Sequence, residues 1–395
     1  MNRNLHAMTR REILAASGLG VIAAGQSMGA DRAAPASPVS IAKCAGYDDD
    51  LARVLGRQFD QIGGIGRLVS GKTVAIKLNL TGGGRIGNYT PGQTHWVHPT
   101  LVGVCCHLFG RAGAKRIRLL EGAARGDSLE DKMLNAGWDV EALRNAAPLV
   151  EFEDTNRLGS GKRYARLKVA KPYIYPAFDL NPSYEDTDVF VSLSKLKHHE
   201  ECGITLTIKN SFGIAPNSVY GDDAGVDEPN ERARRGRESI LHYGRRQPPK
   251  SAPQEVDFTS DRFEGYRVPR ISVDLIAARP VDLAIIDGIE SSIGGEGPWV
   301  KGVRYAKPEV LIAGRNPVCT DAVATAVMGY NPRAVPGELP FRSTKETGEG
   351  EPRHPANPML LAEAAGIGNA ELARIEVLGV PIKQALYEFE SRRGG

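Results

Sequence analysis

The pattern of apolar and polar positions alternates between strand-like and helix-like segments over most of the chain. Residues 73–80 form an apolar run typical of a strand, 99–112 a helical pattern opened by proline, and 116–120 another strand-like run. Similar patterns predict strands at 148–153, 187–193, 281–287, 309–313 and 374–378, and helices near 128–137, 317–328 and 358–365. Because strands alternate with helices, we predict an α/β fold with a mainly parallel sheet flanked by helices.

A long polar insertion interrupts this alternation at residues 221–269, which are rich in arginine, proline and acidic residues. Such a segment is typical of a lid, a binding excursion or a disordered insertion. We therefore expect a leader at 1–36, a linker and N-terminal segment at 37–70, and one α/β domain at 71–385 that carries the insertion.

The leader contains the pair Arg10 and Arg11 directly before a short apolar stretch. This pattern is typical of a twin-arginine signal peptide, and Ala30 or the run 34–36 would suit a signal peptidase. The apolar stretch is too short for a stable membrane span, so we expect no permanent membrane anchor. The sequence predicts a periplasmic or secreted protein whose partner during export is the twin-arginine translocase. The alternative is an N-terminal tail that stays attached.

The composition of the chain argues against some classes of function. The chain has 395 residues, 41% of them hydrophobic, which is enough for a large buried core. Its formal net charge of +3 provides no strong field for nucleic acid, so we expect no nucleic-acid partner. The five cysteines show no C-x-x-C spacing, so we expect no iron–sulfur cluster.

Polar side chains gather where predicted strands end. The stretch 192–210, SLSKLKHHEECGITLTIKN, follows an apolar run and carries Lys195, Lys197, His199 and Lys209. In open α/β sheets, ligands bind at the carboxyl ends of the strands. If the stretch is extended, strand alternation places Lys209 on one face with two threonines, with its ammonium pointing into a crevice. The purely structural alternative to a binding site is a strand whose charged end is exposed to solvent.

Four further stretches share this placement, and each has a purely structural alternative. Lys77 and Asn79 share one face near the end of a strand, and Asp287 ends another. Glu296 lies in a G-G-E-G-P run, which is also a plausible plain turn. Asn316 and Asp321 open a helix whose N-terminal amides can hold an anion, although Asn316 is equally a good helix cap.

These residues together predict one site for an anionic small molecule. The candidate catalytic residues are Lys195, Lys197, His199, Lys209, Asp287 and Glu296, and the candidate ligand-binding residues are Lys77, Asn79, Asn210, Asn316 and Asp321. Lysines hold charge, while histidine or glutamate moves protons, so proton abstraction next to a carboxylate is the chemistry these groups best support. An isomerase, a racemase or a metal-assisted enzyme would use such a site. The competing class is a non-enzymatic protein that binds an anion or a metal.

The histidines leave a divalent metal open as a cofactor. His98, His199 and His242 are the candidate ligands, although a single histidine is more often structural. Since neighbouring side chains of an extended strand point to opposite faces, at most one of His198 and His199 faces the site. No H-E-x-x-H spacing is present in the sequence.

Several of these motifs together resemble a known family. The strings VAIKLNL, GAKRIRLLEG, SLSKLKHHEECGITLTIKNSFGIAP, VDLAIIDGIESSIGGEGP and NPVCTDAVATAVMGYNP are similar to those of the domain of unknown function family 362. The resemblance covers roughly residues 70–330 and implies a fold and motif positions, but no established reaction. Many members carry ferredoxin-like cysteine clusters, which this chain lacks.

A second resemblance concerns fewer residues. The order of His98, His199, Lys209 and His242 is similar to that of the nickel-pincer lactate racemase, in which histidines flank the metal and a lysine tethers the cofactor. The glycine-rich approach to that lysine is replaced here by ECGITLTIKN, and the enzyme's early Asp/Arg substrate motif has no counterpart. A likeness of fold does not transfer function, so the racemase remains an alternative.

Overall fold

The computed structural model of the chain describes residues 34–82, 95–122, 128–158, 163–343 and 352–391. Its strands are β1 (Val39–Lys43), β2 (Thr73–Lys77), β3 (Arg116–Glu121), β4 (Val150–Asp154), β5 (Ala165–Lys168), β6 (Ala177–Leu180), β7 (Val189–Lys195), β8 (His198–His199), β9 (Gly203–Ile204), β10 (Leu283–Gly288), β11 (Ser291–Ile293), β12 (Arg304–Ala306), β13 (Val310–Gly314) and β14 (Val377–Gly379). The predicted leader lies outside the described residues, apart from 34–36.

The α-helices of the described residues vary from one turn to four. They are α1 (Leu51–Gln61), α2 (Gly66–Val69), α3 (Pro99–Arg111), α4 (Leu129–Asn135), α5 (Val140–Arg144), α6 (Thr207–Asn210), α7 (Asn217–Tyr220), α8 (Glu264–Ala278), α9 (Pro317–Val327), α10 (Pro358–Ala364) and α11 (Ile382–Ala385). Single 3-10 or π turns cover Pro182–Tyr184, Ser211–Ile214, Glu238–His242 and Leu372–Arg374. Within these ranges, no helix has the length and apolar character needed to cross a bilayer.

Within the described ranges, eight strands form the central sheet in the order β14-β1-β13-β10-β7-β2-β3-β4. The five strands from β10 to β4 are mutually parallel, and β13 runs antiparallel to both of its neighbours. The predicted α/β fold with a mainly parallel sheet is therefore confirmed. The segment 37–70, expected as a linker and N-terminal segment, contributes β1 to this sheet and α1 to its flank.

The direction in which the chain adds strands reverses between β2 and β7. From β2 the chain adds β3 and β4 on one side, whereas β7 and β10 lie on the other side. At such a switch point, the connections leave the carboxyl ends of two adjacent strands in opposite directions and open a crevice between them. The fold therefore places its natural ligand crevice at the ends of β2 and β7.

Each face of the sheet has its own apolar core because the strand side chains alternate. Val74 and Ile76 of β2 belong to a core that includes residues of α1 and α3. Ala75 of β2 and Phe190 of β7, which are paired in register, face a core that includes residues of α8 and α9. The register of β2 against β7 consequently decides which polar residues at the strand ends can meet.

The predicted insertion 221–269 packs on the domain and ends inside a helix, since α8 begins at Glu264. Arg267 of α8 and Glu255 of the insertion form an ion pair at 2.8 Å, with both side chains fully buried. Arg267 also donates to the carbonyl oxygens of Ile240 and Leu241 at 3.2 Å. One buried guanidinium thus holds two parts of the insertion against the second core.

We expect Arg267→Ala to destabilise the folded protein by about 3 kcal/mol, because it removes the fully buried arginine that pairs with Glu255 and leaves this carboxylate only the partly exposed Arg262. Urea unfolding measures this loss. Arg232→Ala, an exposed arginine of the same insertion, is the matched control and should change stability by at most about 0.5 kcal/mol. A similar small effect for both variants would show that the pair does not hold the insertion.

Candidate functional site

A cavity of about 620 Å³ lies at the carboxyl ends of β2 and β3, beside the switch point. Its walls come from the loop after β2, the segment that contains α6 and α7, and the insertion. Several residues predicted from the sequence line it, namely Lys77, Asn79, His199, Lys209, Asn210, His242 and Glu296. The structure therefore brings these residues together around one space.

The floor of the cavity contains a buried ion pair between Lys77 and Glu121. Nζ of Lys77 lies 2.8 Å from Oε1 of Glu121 and donates to the carbonyl oxygen of Leu78 at 2.7 Å. Burial lowers the pKa of Lys77, and Glu121 partly offsets this effect. Burial also raises the pKa of Glu121, but the charges of Lys77 and Lys132 outweigh it and hold this pKa below its usual value. The two groups satisfy each other and shape the floor.

Asn210 joins the ends of β2 and β7 above this pair. Its Nδ2 donates to Oγ of Ser192 at 3.0 Å, and its Oδ1 accepts from Nδ2 of Asn79 at 3.0 Å and from Nζ of Lys77 at 3.4 Å. A Cβ at Gly213 would lie 2.9 Å from Nζ of Lys77, so a larger residue there would displace the ammonium. In the string T-I-K-N-x-x-G, the asparagine therefore joins two strands by hydrogen bonds, and the glycine allows the backbone to approach Lys77 closely.

Lys209 lies in the helical turn α6, so the predicted extended conformation of this stretch is wrong. Nζ of Lys209 lies 4.5 Å from the centre of the Phe212 ring, at the cavity wall. Among the residues that the structure describes, no carboxylate forms an ion pair with Lys209, whereas Lys77 and Lys195 each have one. Lys209 is therefore the lysine of the predicted set whose charge is left for a ligand.

Lys197 is buried beside the cavity but does not line it. Its ammonium donates to Oγ1 of Thr81 at 3.1 Å and to the carbonyl oxygens of His95 at 2.5 Å and Glu296 at 2.9 Å. Burial places its pKa well below the usual value, and the charge of Glu296 offsets only part of this effect. Since an ammonium has three N–H donors, Lys197 is saturated and ties three loops together.

Lys195 and Asp287 lie on the opposite face of the sheet, so the expected single crevice does not include them. Their side chains are fully buried, with Nζ and Oδ2 2.9 Å apart. The hydroxyl of Tyr47 donates to Asp287 at 2.8 Å and accepts from Lys195 at 2.9 Å. The reason is register: Lys195 pairs with Asp287, whereas Lys77 pairs with Ser192 and so points to the other face.

His98, a predicted metal ligand, also lies on this opposite face. Its ring stacks on Tyr47 with ring centres 3.7 Å apart, and its Nδ1 accepts from the backbone N–H of Thr100 at the start of α3. Burial lowers the pKa of His98 to about 4, although Asp287 partly opposes this shift. It caps a helix and stands apart from His199 and His242, which line the cavity.

The two predicted ligand residues of α9 have supporting positions. Asn316 is the N-cap of α9 and accepts from the N–H groups of Val318 and Cys319 at 3.0 and 3.1 Å. Asp321 accepts from the N–H groups of Thr207 and Ile208 at 2.9 and 2.8 Å. Neither residue lines the cavity. Asp321 thus positions α6, which carries Lys209.

Two histidine–glutamate contacts lie in the cavity wall. Nδ1 of His242 lies 3.0 Å from Oε2 of Glu201, and Nδ1 of His199 lies 3.9 Å from Oε2 of Glu296. Burial raises the pKa of Glu201, but the contact with His242 holds it at about 2. Burial and the charge of Lys209 lower the pKa of His199 to about 3, so that its ring is neutral at pH 7. This arrangement gives one neutral imidazole and one imidazole beside a carboxylate.

His198 and His199 face different surroundings, as strand alternation predicts. Nε2 of His198 lies 2.9 Å from the hydroxyl of Tyr330, and its Nδ1 accepts from the backbone of Gly294. His199 lines the cavity. Across the described ranges, no cluster of three or more His, Cys, Asp or Glu side chains has a geometry that could hold a metal ion. A divalent metal therefore stays a prediction.

Sequence reasoning missed several cavity residues. Glu121 ends β3 and could have been found by the same rule about strand ends that singled out Lys77. The sequence signal for Glu201 is weaker, because its position two residues after His199 is all that connects it with the predicted site. Arg237 belongs to an arginine-rich stretch whose pattern does not single out one residue, and Trp299 carries no local signal, since it comes from the loop after β11.

Comparison with known proteins assigns a family to this architecture. A family model described as Domain of unknown function (DUF362) matches residues 74–326, a span that includes every residue of the cavity wall. The chain belongs to the DUF362 family. A thylakoid-associated protein of Synechocystis sp. (strain ATCC 27184 / PCC 6803 / Kazusa) is 27% identical over 197 residues, which are 48% of this chain and 55% of that protein. No solved structure matches.

The DUF362 match confirms the family that the motifs predicted and agrees with a chain of unknown reaction. The chain spans about half the length of the curated relative it matches. The name of that relative describes an association with thylakoids and does not specify a reaction. The chemistry of this DUF362 member must therefore be inferred from its own cavity.

We expect Asp321→Asn to change how the stability of this DUF362 protein depends on pH. Burial raises the pKa of Asp321 from 3.8 to about 7, against the opposing effect of its two backbone donors. The folded protein then holds this proton more tightly than the unfolded chain, so the contribution is full below pH 3.8 and is lost as pH rises through 7.

Relative to wild type, Asp321→Asn should therefore become more stable as pH rises from 5 to 7, by about 1.4 kcal/mol for each pH unit, and the difference should level off above pH 7. Urea unfolding of both proteins at pH 5, 6, 7 and 8 measures the difference. Asn316→Ala, which removes a cap of the same helix, should cost about 1 kcal/mol at every pH and is the control. Parallel pH profiles for wild type and Asp321→Asn would contradict the assignment.

Proposed function

We propose that this chain is an exported enzyme that binds an anionic small molecule in the cavity and moves a proton next to its carboxylate. The observation that carries the proposal is the ammonium of Lys209, which lies at the cavity wall beside Phe212 and has no carboxylate partner among the described residues. A half-buried charge without a counter-ion is costly, and an anionic ligand would remove that cost.

Three cations lie near one another around the floor. The charges of Arg237 and Lys209 both lower the pKa of Lys77, whose own ion-pair partner is Glu121. Arg237 donates to neutral acceptors, Oδ1 of Asn156 at 2.7 Å and the carbonyl oxygen of Ala215 at 2.6 Å. The floor is thus suited to a carboxylate held by Lys209 and Arg237.

The contact between His242 and Glu201 supplies the group that can move a proton. Since Nδ1 of His242 lies 3.0 Å from Oε2 of Glu201, the proposal assigns Nε2 the role of taking a proton from a ligand. The negative charge of Glu201 would stabilise the imidazolium that forms. His199 remains neutral, so it can donate or accept a hydrogen bond without bringing a second positive charge.

The nickel-pincer racemase is the second candidate, and one observation favours it. His199, Lys209 and His242 line the same cavity, so a cofactor tethered to Lys209 would have two histidines nearby. Such a group would supply hydride-transfer chemistry when bound. The fit is partial, because His98 lies on the other face of the sheet and caps a helix.

We expect Lys209→Ala to lose most of the stabilisation that an anionic ligand gives to wild type. Ligand binding to the folded state stabilises it by about 2.7 kcal/mol at 100 times Kd, and a tenfold weaker Kd removes about 1.4 kcal/mol of this. Thermal melts with and without lactate, malate and inorganic phosphate measure the effect. Lys171→Ala, an exposed lysine outside the cavity, is the matched control.

Equal ligand-induced shifts in wild type and Lys209→Ala would overturn the anion site. Exchange of the ligand's α-proton with deuterium from solvent, followed by NMR, separates the enzyme from a non-enzymatic binding protein. The enzyme should exchange this proton, and His242→Ala should slow the exchange. Binding without exchange would favour the non-enzymatic alternative.

Export through the twin-arginine route is part of the proposal and rests on the pair Arg10-Arg11 before the apolar leader. We expect the double replacement of Arg10 and Arg11 by lysine to trap the precursor in the cytoplasm, because the translocase reads the paired guanidinium groups. Cell fractionation measures the exported share, and Arg3→Lys is the control. Normal export of the double variant would overturn the twin-arginine assignment.

A further inference from the structure

Trp299 forms an aromatic rim on the cavity and is 50% exposed. Its indole N–H donates to Oε1 of Glu296 at 2.9 Å, so the orientation of the ring is set by a hydrogen bond. The ring also lies nearly perpendicular to that of His95, with ring centres 5.8 Å apart. A large apolar side chain that is held in place yet left half in water offers a ready contact surface.

Two glycines make room for this ring. Gly82 has a φ of +92°, and a Cβ there would lie 2.8 Å from Cζ3 of Trp299. A Cβ at Gly297 would also overlap the indole ring. The ring therefore rests on backbone from two loops, which fixes its position before any ligand arrives. Such a fixed aromatic face can contact a ligand at little cost in side-chain entropy.

The same cavity contains buried polar atoms that need hydrogen-bond partners. Oδ1 of Asn79, Oδ1 of Asn217 and Oγ1 of Thr205 have no hydrogen bond within the described part of the chain. The side chains are 6%, 5% and 3% exposed, and all three line the cavity. Two of these atoms are acceptors only, so a ligand that pairs with them must bring O–H or N–H donors.

We propose that the ligand of this cavity is a sugar acid, a hydroxylated ring that carries a carboxylate. The inference rests on the proposed anion site and extends it to the rest of the ligand. The carboxylate lies at Lys209, the apolar C–H face of the ring covers Trp299, and ring hydroxyls donate to Asn79 and Asn217. The volume of about 620 Å³ has room for one or two such rings.

Two simpler anions satisfy only part of the cavity. An acyclic hydroxy acid has no flat face, so it leaves Trp299 in water. An aromatic carboxylate covers Trp299 but brings no donor to Asn79 and Asn217, whose buried acceptors then stay unpaired at a cost in binding free energy. A hydroxylated ring with a carboxylate matches the aromatic rim, the acceptors and the cation together.

The test is titration calorimetry with glucuronate, glucose, lactate and benzoate as probes. Wild type should bind glucuronate at least tenfold more tightly than the other three. Trp299→Ala should weaken glucuronate binding roughly tenfold and leave lactate binding unchanged, whereas Trp299→Phe should keep most of the affinity. Tyr305→Ala, an exposed aromatic residue away from the cavity, is the matched control. Thermal melts without ligand verify that each variant is folded.

Each contrary result rejects a defined part of the proposal. Equal binding of lactate and glucuronate, or an unchanged glucuronate affinity in Trp299→Ala, would overturn the ring contact while the anion site stands. Tighter binding of benzoate than of glucuronate would overturn the requirement for hydroxyl donors. Equal binding of glucose and glucuronate would overturn the role of the carboxylate, and no binding of any anion would reject the proposed function itself.

Discussion

The buried contact between Lys77 and Glu121 is the constraint on which the rest of the site depends. A charge pair without solvent needs every remaining donor and acceptor to be satisfied, and the surrounding loops supply these partners. The N–H groups of Leu80 and Gly122 donate to Glu121 at 2.8 Å each. Because the pair joins the ends of β2 and β3, the loops that leave both strands are held in one arrangement.

The lysines of the site have different roles because they have different partners. Lys77, Lys195 and Lys197 are buried, and each has its charge satisfied by a carboxylate or by carbonyl oxygens. Lys209 differs, since its turn is placed by Asp321 and its ammonium lies over an aromatic ring. Three of these lysines therefore hold loops in place, and Lys209 is available to a ligand.

The insertion completes the cavity on the side that the sheet leaves open. Arg237 and His242 belong to it, and both line the cavity. The buried contact of Arg267 with Glu255 attaches the insertion to α8. The insertion is thus held by this ion pair together with Ile240 and Leu241, which are fully buried in the core, and it supplies a cation and an imidazole that the sheet does not.

The sequence by itself determined the α/β fold, the family, every strand of the central sheet except β1, and the gathering of polar residues at strand ends. These features are local, because the identities of consecutive residues determine periodicity and strand length. The tertiary structure alone decided which polar residues meet. The register of β7 between β2 and β10 places Lys77 on one face and Lys195 with Asp287 on the other, and a shift of one residue would exchange the faces. Register depends on contacts between distant segments, so no local pattern could assign it.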